Sequence, residues 1–144
     1  MKELPKWVKE FNYEDNLEKY LEEWSTLYDI STYDNFELDN NNFEKLFNGK
    51  DNSAFPYDTK SLMKHNDCFD MIKETPYGNQ MTTDFAIQAI INENLGKRNV
   101  TDVLTISYSS TDYIGHSFGV ASVETQDTYI PVSYTHLTLP TMIR

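Results

Sequence analysis

Apolar positions recur first at helical spacing. Trp7, Val8 and Phe11 share one side of a segment that Pro5 suits as a first turn. Leu17, Tyr20, Leu21, Trp24 and Leu27 continue the pattern. The polar run 12–16 divides it into two predicted helices, with Asp15 or Asn16 capping the second. From Asp29 to Tyr57 the periodicity fades. Asn40-Asn41-Asn42 and Asn48-Gly49-Lys50-Asp51-Asn52 mark an acidic, Asn-rich surface excursion with one short helix over 42–47. The spacing of a calcium-binding loop is absent from it.

Beyond Lys60 the pattern sharpens. A short helix over 61–65 precedes Phe69-Asp70-Met71-Ile72, and Thr75-Pro76-Tyr77-Gly78-Asn79 reads as a turn by its Pro and Gly. Thr82 or Thr83 caps the clearest helix, 84–95, with Phe85, Ala86, Ala89, Ile90 and Leu95 on its buried stripe and Gly96 closing it. Residues 103–108 (Val-Leu-Thr-Ile-Ser-Tyr) then predict a strand, apolar enough for burial on both faces of a parallel sheet. A polar loop follows over 109–116, and 120–130 returns to a helical pattern. This is an α/β layout, in which sites gather at the carboxyl ends of strands.

Composition narrows the function classes. The chain has 144 residues, 39% hydrophobic and 14% aromatic, enough for one core. Its 23 acidic residues against 12 basic ones give a net charge of −11, which argues against nucleic acid or an anionic membrane as partner. No apolar run is long enough to span a bilayer, and Met1-Lys2-Glu3-Leu4-Pro5 carries no signal-peptide core. The single cysteine, Cys68, excludes an intrachain disulfide and a cysteine-rich zinc knuckle. With no base beside it, Cys68 reads as a small core residue.

The chemistry concentrates in Asp112-x-x-x-His116, directly after the predicted strand. A carboxylate and an imidazole one helical turn apart can close on one cation, and zinc accepts both donors. By spacing alone, a capping Asp followed by an exposed His is the commoner arrangement. Ser109, Ser110 and Thr111 stand ready to donate to the carboxylate or to a substrate, with Gly115 turning the chain so that the imidazole swings back. His65, Asp67, Cys68 and Asp70 are a second dense group, read as ordinary surface positions after a helix.

Context raises the first group. Thr111-Asp112-Tyr113-Ile114-Gly115-His116-Ser117-Phe118-Gly119 resembles the Asp-x-x-Gly-His-x-x-Gly signature of the alkaline phosphatase superfamily, in its phosphodiesterase and nucleotide-pyrophosphatase-like branch. Leu4-Pro5-Lys6-Trp7-Val8, Phe11-Asn12, Gly49-Lys50, Phe55-Pro56-Tyr57-Asp58, Thr75-Pro76-Tyr77-Gly78-Asn79 and Asp84-Phe85-Ala86 are similar to the middle of PafA-like bacterial alkaline phosphatases. Coverage is essentially 2–130. The resemblance implies a fragment of a three-layer α/β/α sandwich, with 1–59 a helical and acidic surface excursion and 60–130 an α/β core piece. It also implies two zinc ions. Asp112 and His116 fall on the Asp and first His of the ion that stabilises the leaving-group oxygen. The Thr or Ser nucleophile, and the Lys and Arg that contact phosphate, are expected upstream of Met1; the remaining ligands are expected downstream of Ile130. No catalytic residue is therefore expected in the chain itself. The implied reaction is hydrolysis of a small-molecule phosphate monoester by double displacement, in the periplasm or outside the cell. A nucleotide pyrophosphatase/phosphodiesterase or a sulfatase-like relative is the alternative within the superfamily. A non-catalytic acidic interaction module, with residues 4–27 as its binding face, is the alternative from another class.

The last stretch changes character. The string from Pro131 to Thr141, Pro-Val-Ser-Tyr-Thr-His-Leu-Thr-Leu-Pro-Thr, has no acidic residue and back-translates into a common transposase-based sequencing adapter. Residues 131–144 are therefore expected to be a non-native tail, extended or loosely placed, and His136 is not offered as a ligand.

Overall fold

The computed structural model describes residues 3–13 and 17–142, and the side chains of all of these except 13, 68, 69 and 135–142. Helix α1 (Lys6–Tyr13) forms where the first periodic stretch predicts it. The expected second helix does not. A 3-10 turn at Glu18–Tyr20 leads instead into a short strand β1 (Glu23–Trp24), and the proposed cap at Asp15 or Asn16 lies outside the described residues. The apolar residues are buried all the same: Tyr20, Leu21 and Trp24 are each under 7% exposed. Tertiary contacts have overridden a weak local preference. Trp24 packs against Phe55, Tyr57 and Phe118, and its indole N–H donates to Asp127 at 2.8 Å.

The stretch 29–57 runs mostly over the surface, and Tyr33, Phe47 and Tyr57 anchor it in the core. It holds two 3-10 turns, Ile30–Thr32 and Phe36–Leu38, and no helix over 42–47. Strand β2 (Tyr57–Asp58) pairs antiparallel with β1, Trp24 opposite Tyr57. Phe47, Tyr57, Trp24 and Phe118 make a cluster of edge-on and tilted rings, with centroids 5.2–6.2 Å apart. An Asn-rich composition concealed these anchors.

Among the described residues, five helices follow the strands. Helix α2 (Thr59–Leu62) is capped by Asp58, which accepts from Ser61 N–H at 3.0 Å. Helix α3 is Cys68–Lys73, and α4 runs Pro76–Asn92. The α4 start lies two turns before the predicted one. Pro76 occupies the first turn, where its missing N–H costs nothing, so the Pro-Gly content read as a turn is a helix start. Past its end, Asn94 and Gly96 take left-handed conformations (φ 52° and 75°). Residues 103–108 are not a strand. No described strand lies beside them, so no ladder forms, and Val103 is 86% exposed.

Helix α5 (Ser109–Phe118) occupies the segment expected to be a polar loop. Gly115 sits inside it with open space around it and turns nothing; the helix ends at Gly119, φ 96°. Helix α6 (Val123–Met142) begins near the predicted place but continues through the stretch expected to be extended or loosely placed, which is helical and not extended. That expectation is corrected. Propagating a helix gains a hydrogen bond for each residue other than Pro131 and Pro140, and Ser133 Oγ donates to the Ile130 carbonyl at 2.7 Å. The Tyr134 hydroxyl lies 3.2 Å from that of Tyr28, with both side chains about half exposed.

The N-terminal turns of α6 are the polar centre of the molecule. Asp127, 3% exposed, accepts from Trp24 Nε1, from Leu27 N–H at 2.8 Å and from the Tyr33 hydroxyl at 2.6 Å. One carboxylate thereby ties the 24–33 segment to the helical layer, where α4 packs on α5 and α5 on α6.

Candidate metal centre

Asp112 lies in the first turn of α5 and His116 in its last turns, four residues apart. Helical geometry places such a pair on one face. His116 Nε2 is 3.6 Å from Asp112 Oδ2, and the two side chains are 79% and 77% exposed. Each also suits its end of the helix dipole. Two ligands about 2.1 Å from one tetrahedral ion stand about 3.4 Å apart, so the donor pair fits a shared zinc. Among the described residues no group of three His, Cys, Asp or Glu side chains could hold a metal. Among the described residues, two donors come together and no third joins them.

The backbone that carries the pair is fixed from α4. Asn79, 5% exposed, accepts from Ser110 N–H at 3.2 Å through its amide oxygen. Its amide nitrogen donates to the Thr111 hydroxyl at 2.9 Å. Tyr108, at the capping position of α5, makes no side-chain cap. Ser110 and Thr111 are buried in this contact and are not presented to a substrate; Ser109 remains exposed. Gly78 permits the approach, because a Cβ there would stand 2.2 Å from Ser110 Oγ and 2.9 Å from the Ile72 carbonyl.

The second group of candidate ligands is engaged elsewhere. Asp70 pairs with Lys73 at 2.7 Å, which holds its carboxyl below the usual range. Asp67 accepts from Asp70 N–H at 3.2 Å, His65 lies over Gly49, and the Cys68 side chain is outside the described ones. Sequence reasoning missed Asn79, whose Pro-Gly neighbours pointed to a turn. It also missed Glu124, which is fully buried with one orphaned carboxylate oxygen. No local pattern marks a buried carboxylate in a chain this acidic.

No protein-family model matches the chain. It is 43% identical over 131 residues to alkaline phosphatase PhoV of Synechococcus elongatus, and 38% identical over 130 residues to alkaline phosphatase PafA of Elizabethkingia meningoseptica. Each match takes in 90% of this chain and 24% of the relative. The crystal structure of wild-type PafA superposes with a TM-score of 0.82 at 37% identity, over 94% of this chain and 26% of that one. The chain belongs to the PafA-like group of the alkaline phosphatase superfamily. Its fold class is accordingly α/β, of which the described residues form helices and one small sheet. Another relative, 49% identical over 133 residues, is a calcium-transporting ATPase of Myroides odoratus by name. Among the described residues no helix of this alkaline phosphatase relative is long and apolar enough to cross a membrane. The chain spans about a quarter of the length of these relatives.

Proposed function

We propose that the chain is part of a zinc-dependent phosphoric ester hydrolase, acting on small phosphate monoesters, and that Asp112 and His116 are two ligands of one zinc ion. The observation that carries the reading is the pair itself: a carboxylate and an imidazole 3.6 Å apart on one exposed helix face, inside the Asp-x-x-Gly-His signature. Zinc bound there would act as a Lewis acid, drawing off negative charge that develops on a leaving oxygen. The chain's part is to present one anionic oxygen and one neutral nitrogen in fixed register, on a helix whose start is held by Asn79. The nucleophile and further ligands belong to sequence outside these 144 residues, a second zinc with them, and the whole enzyme works in the periplasm or outside the cell. The alkaline phosphatase names of PhoV and PafA favour a monoester over a diester or sulfate ester. Residues 131–144 are proposed to be foreign to that enzyme, on the adapter match alone.

The test is a zinc titration of the chain followed at the ring resonances of His116. A site with two protein ligands is open and weak, so the response should saturate only at high zinc. Asp112→Ala should weaken it by at least tenfold, and His116→Ala should remove the strongest zinc-dependent shifts at the neighbouring α5 amides. Zinc that shifts other side chains and leaves His116 untouched would sink the assignment.

A further inference from the structure

We infer that Asn79 is a positioning residue for the metal pair: it caps α5 from the neighbouring helix and so fixes where Asp112 and His116 stand. The inference rests on the zinc reading above. Three observations converge. First, α5 lacks a side-chain cap of its own, since Tyr108 supplies none. Second, both ends of one buried amide are spent on the first turn of α5, one on Ser110 N–H and the other on the Thr111 hydroxyl. Third, Gly78 removes the side chain that would hold the helices apart. A neighbouring contact reinforces them: Thr83 Oγ1, one helical turn along α4, lies 3.2 Å from the Tyr108 hydroxyl.

The chemistry asks for this residue type. Ser110 N–H needs an acceptor and the Thr111 hydroxyl is offered a donor, and a planar amide supplies both from one short side chain. Asp112 is the next residue, and its side chain is exposed. Asn79 therefore touches neither donor of the pair. It sets the position of the backbone that carries them, as groups behind a ligand do in metal sites generally.

Zinc titrated into the full chain, read at the His116 ring, tests this. Asn79→Ala should weaken the response about tenfold and speed hydrogen exchange at the Ser110 amide. Thr111→Val keeps the shape of the contact and loses one of its two hydrogen bonds, so it should weaken zinc less than Asn79→Ala does. It also gives a reading should Asn79→Ala fail to fold. Tyr33→Phe is the control for general destabilisation: it removes a hydrogen bond to Asp127 on α6 and leaves the α4–α5 contacts in place, and should lower the unfolding temperature with the zinc response unchanged. The inference is overturned if neither α5-contact variant changes zinc binding while Asp112→Ala does. It is equally overturned if Tyr33→Phe weakens zinc as much as Asn79→Ala. Indifference of His116 to Asp112→Ala instead removes the zinc reading itself, and this inference with it.

Discussion

A single phenolic hydrogen faces two acceptors beneath α6. The Tyr57 hydroxyl lies within hydrogen-bond reach of the Ser53 carbonyl and, at 2.6 Å, of Glu124 Oε1, while Glu124 Oε2 has no partner. An ionised Glu124 would compete with Ser53 for that hydrogen. A protonated one donates its own to Tyr57 and leaves the phenol to Ser53. Geometry thus favours the neutral acid, and burial pushes the Glu124 carboxyl in the same direction, to about 8 from an ordinary 4.5. The linkage follows from the sign of that shift. A folded-state value above the unfolded one gives stability that is full below pH 4.5 and is lost as pH rises through 8. At about 1.4 kcal/mol per unit the loss is of order a few kcal/mol. Asp29, Asp70, Asp84 and Asp102 are shifted the other way, so their contributions disappear only in acid, below the ordinary 3.8. Glu124→Gln should make the unfolding temperature nearly flat between pH 5 and pH 8 and raise it above the parent's at pH 9. A parent whose stability climbs over that interval would contradict the account.

At the scale of elements, the α4–α5 contact is the joint on which the candidate site depends. Gly78→Ala would drive a methyl against Ser110 Oγ and the Ile72 carbonyl. Overpacking of this kind costs about 1–3 kcal/mol, and Ser110→Ala should recover only part, because the Ile72 contact is backbone. Thermal unfolding of the single and double variants measures both numbers; a Gly78→Ala chain as stable as the parent would mean that the helices stand further apart. The same joint shows what a sequence can and cannot disclose. Asp112 and His116 were legible because their spacing is local, and helical periodicity brings them together. Pro76 and Gly78 were misread because the residue types that open a helix or fit a tight crossing also make turns. Strand 103–108 was misread for a physical reason too. Val103, Leu104 and Ile106 have the composition of a buried strand, but a strand exists only when a neighbour completes its ladder. Residues 17–27 failed in reverse: Tyr20, Leu21 and Trp24 of the apolar pattern are buried, Leu27 is not, and the helix is absent, since pairing with Tyr57–Asp58 lies more than thirty positions away.

At the scale of the whole molecule, the described residues divide into a finished part and a part that lacks a counterpart. The aromatic cluster and the Asp127 hub close on themselves. Val100 and Val103, by contrast, stand 64% and 86% exposed, in an irregular segment with the composition of a strand, before the helix that carries Asp112 and His116. The candidate centre is incomplete too, with two donors on an open face and none from elsewhere among the described residues. Zinc catalysis needs at least three protein ligands to hold the ion while one position stays open. A net charge of −11 also repels an anionic phosphate ester. The expected result is that the purified chain, supplied with zinc, does not turn over a chromogenic phosphate monoester above the rate of buffer with the metal. Turnover that rises in proportion to pure protein and persists in Asp112→Ala would show that these residues hold a complete site of another kind, and that the pair on α5 is not the part of the enzyme it is proposed to be.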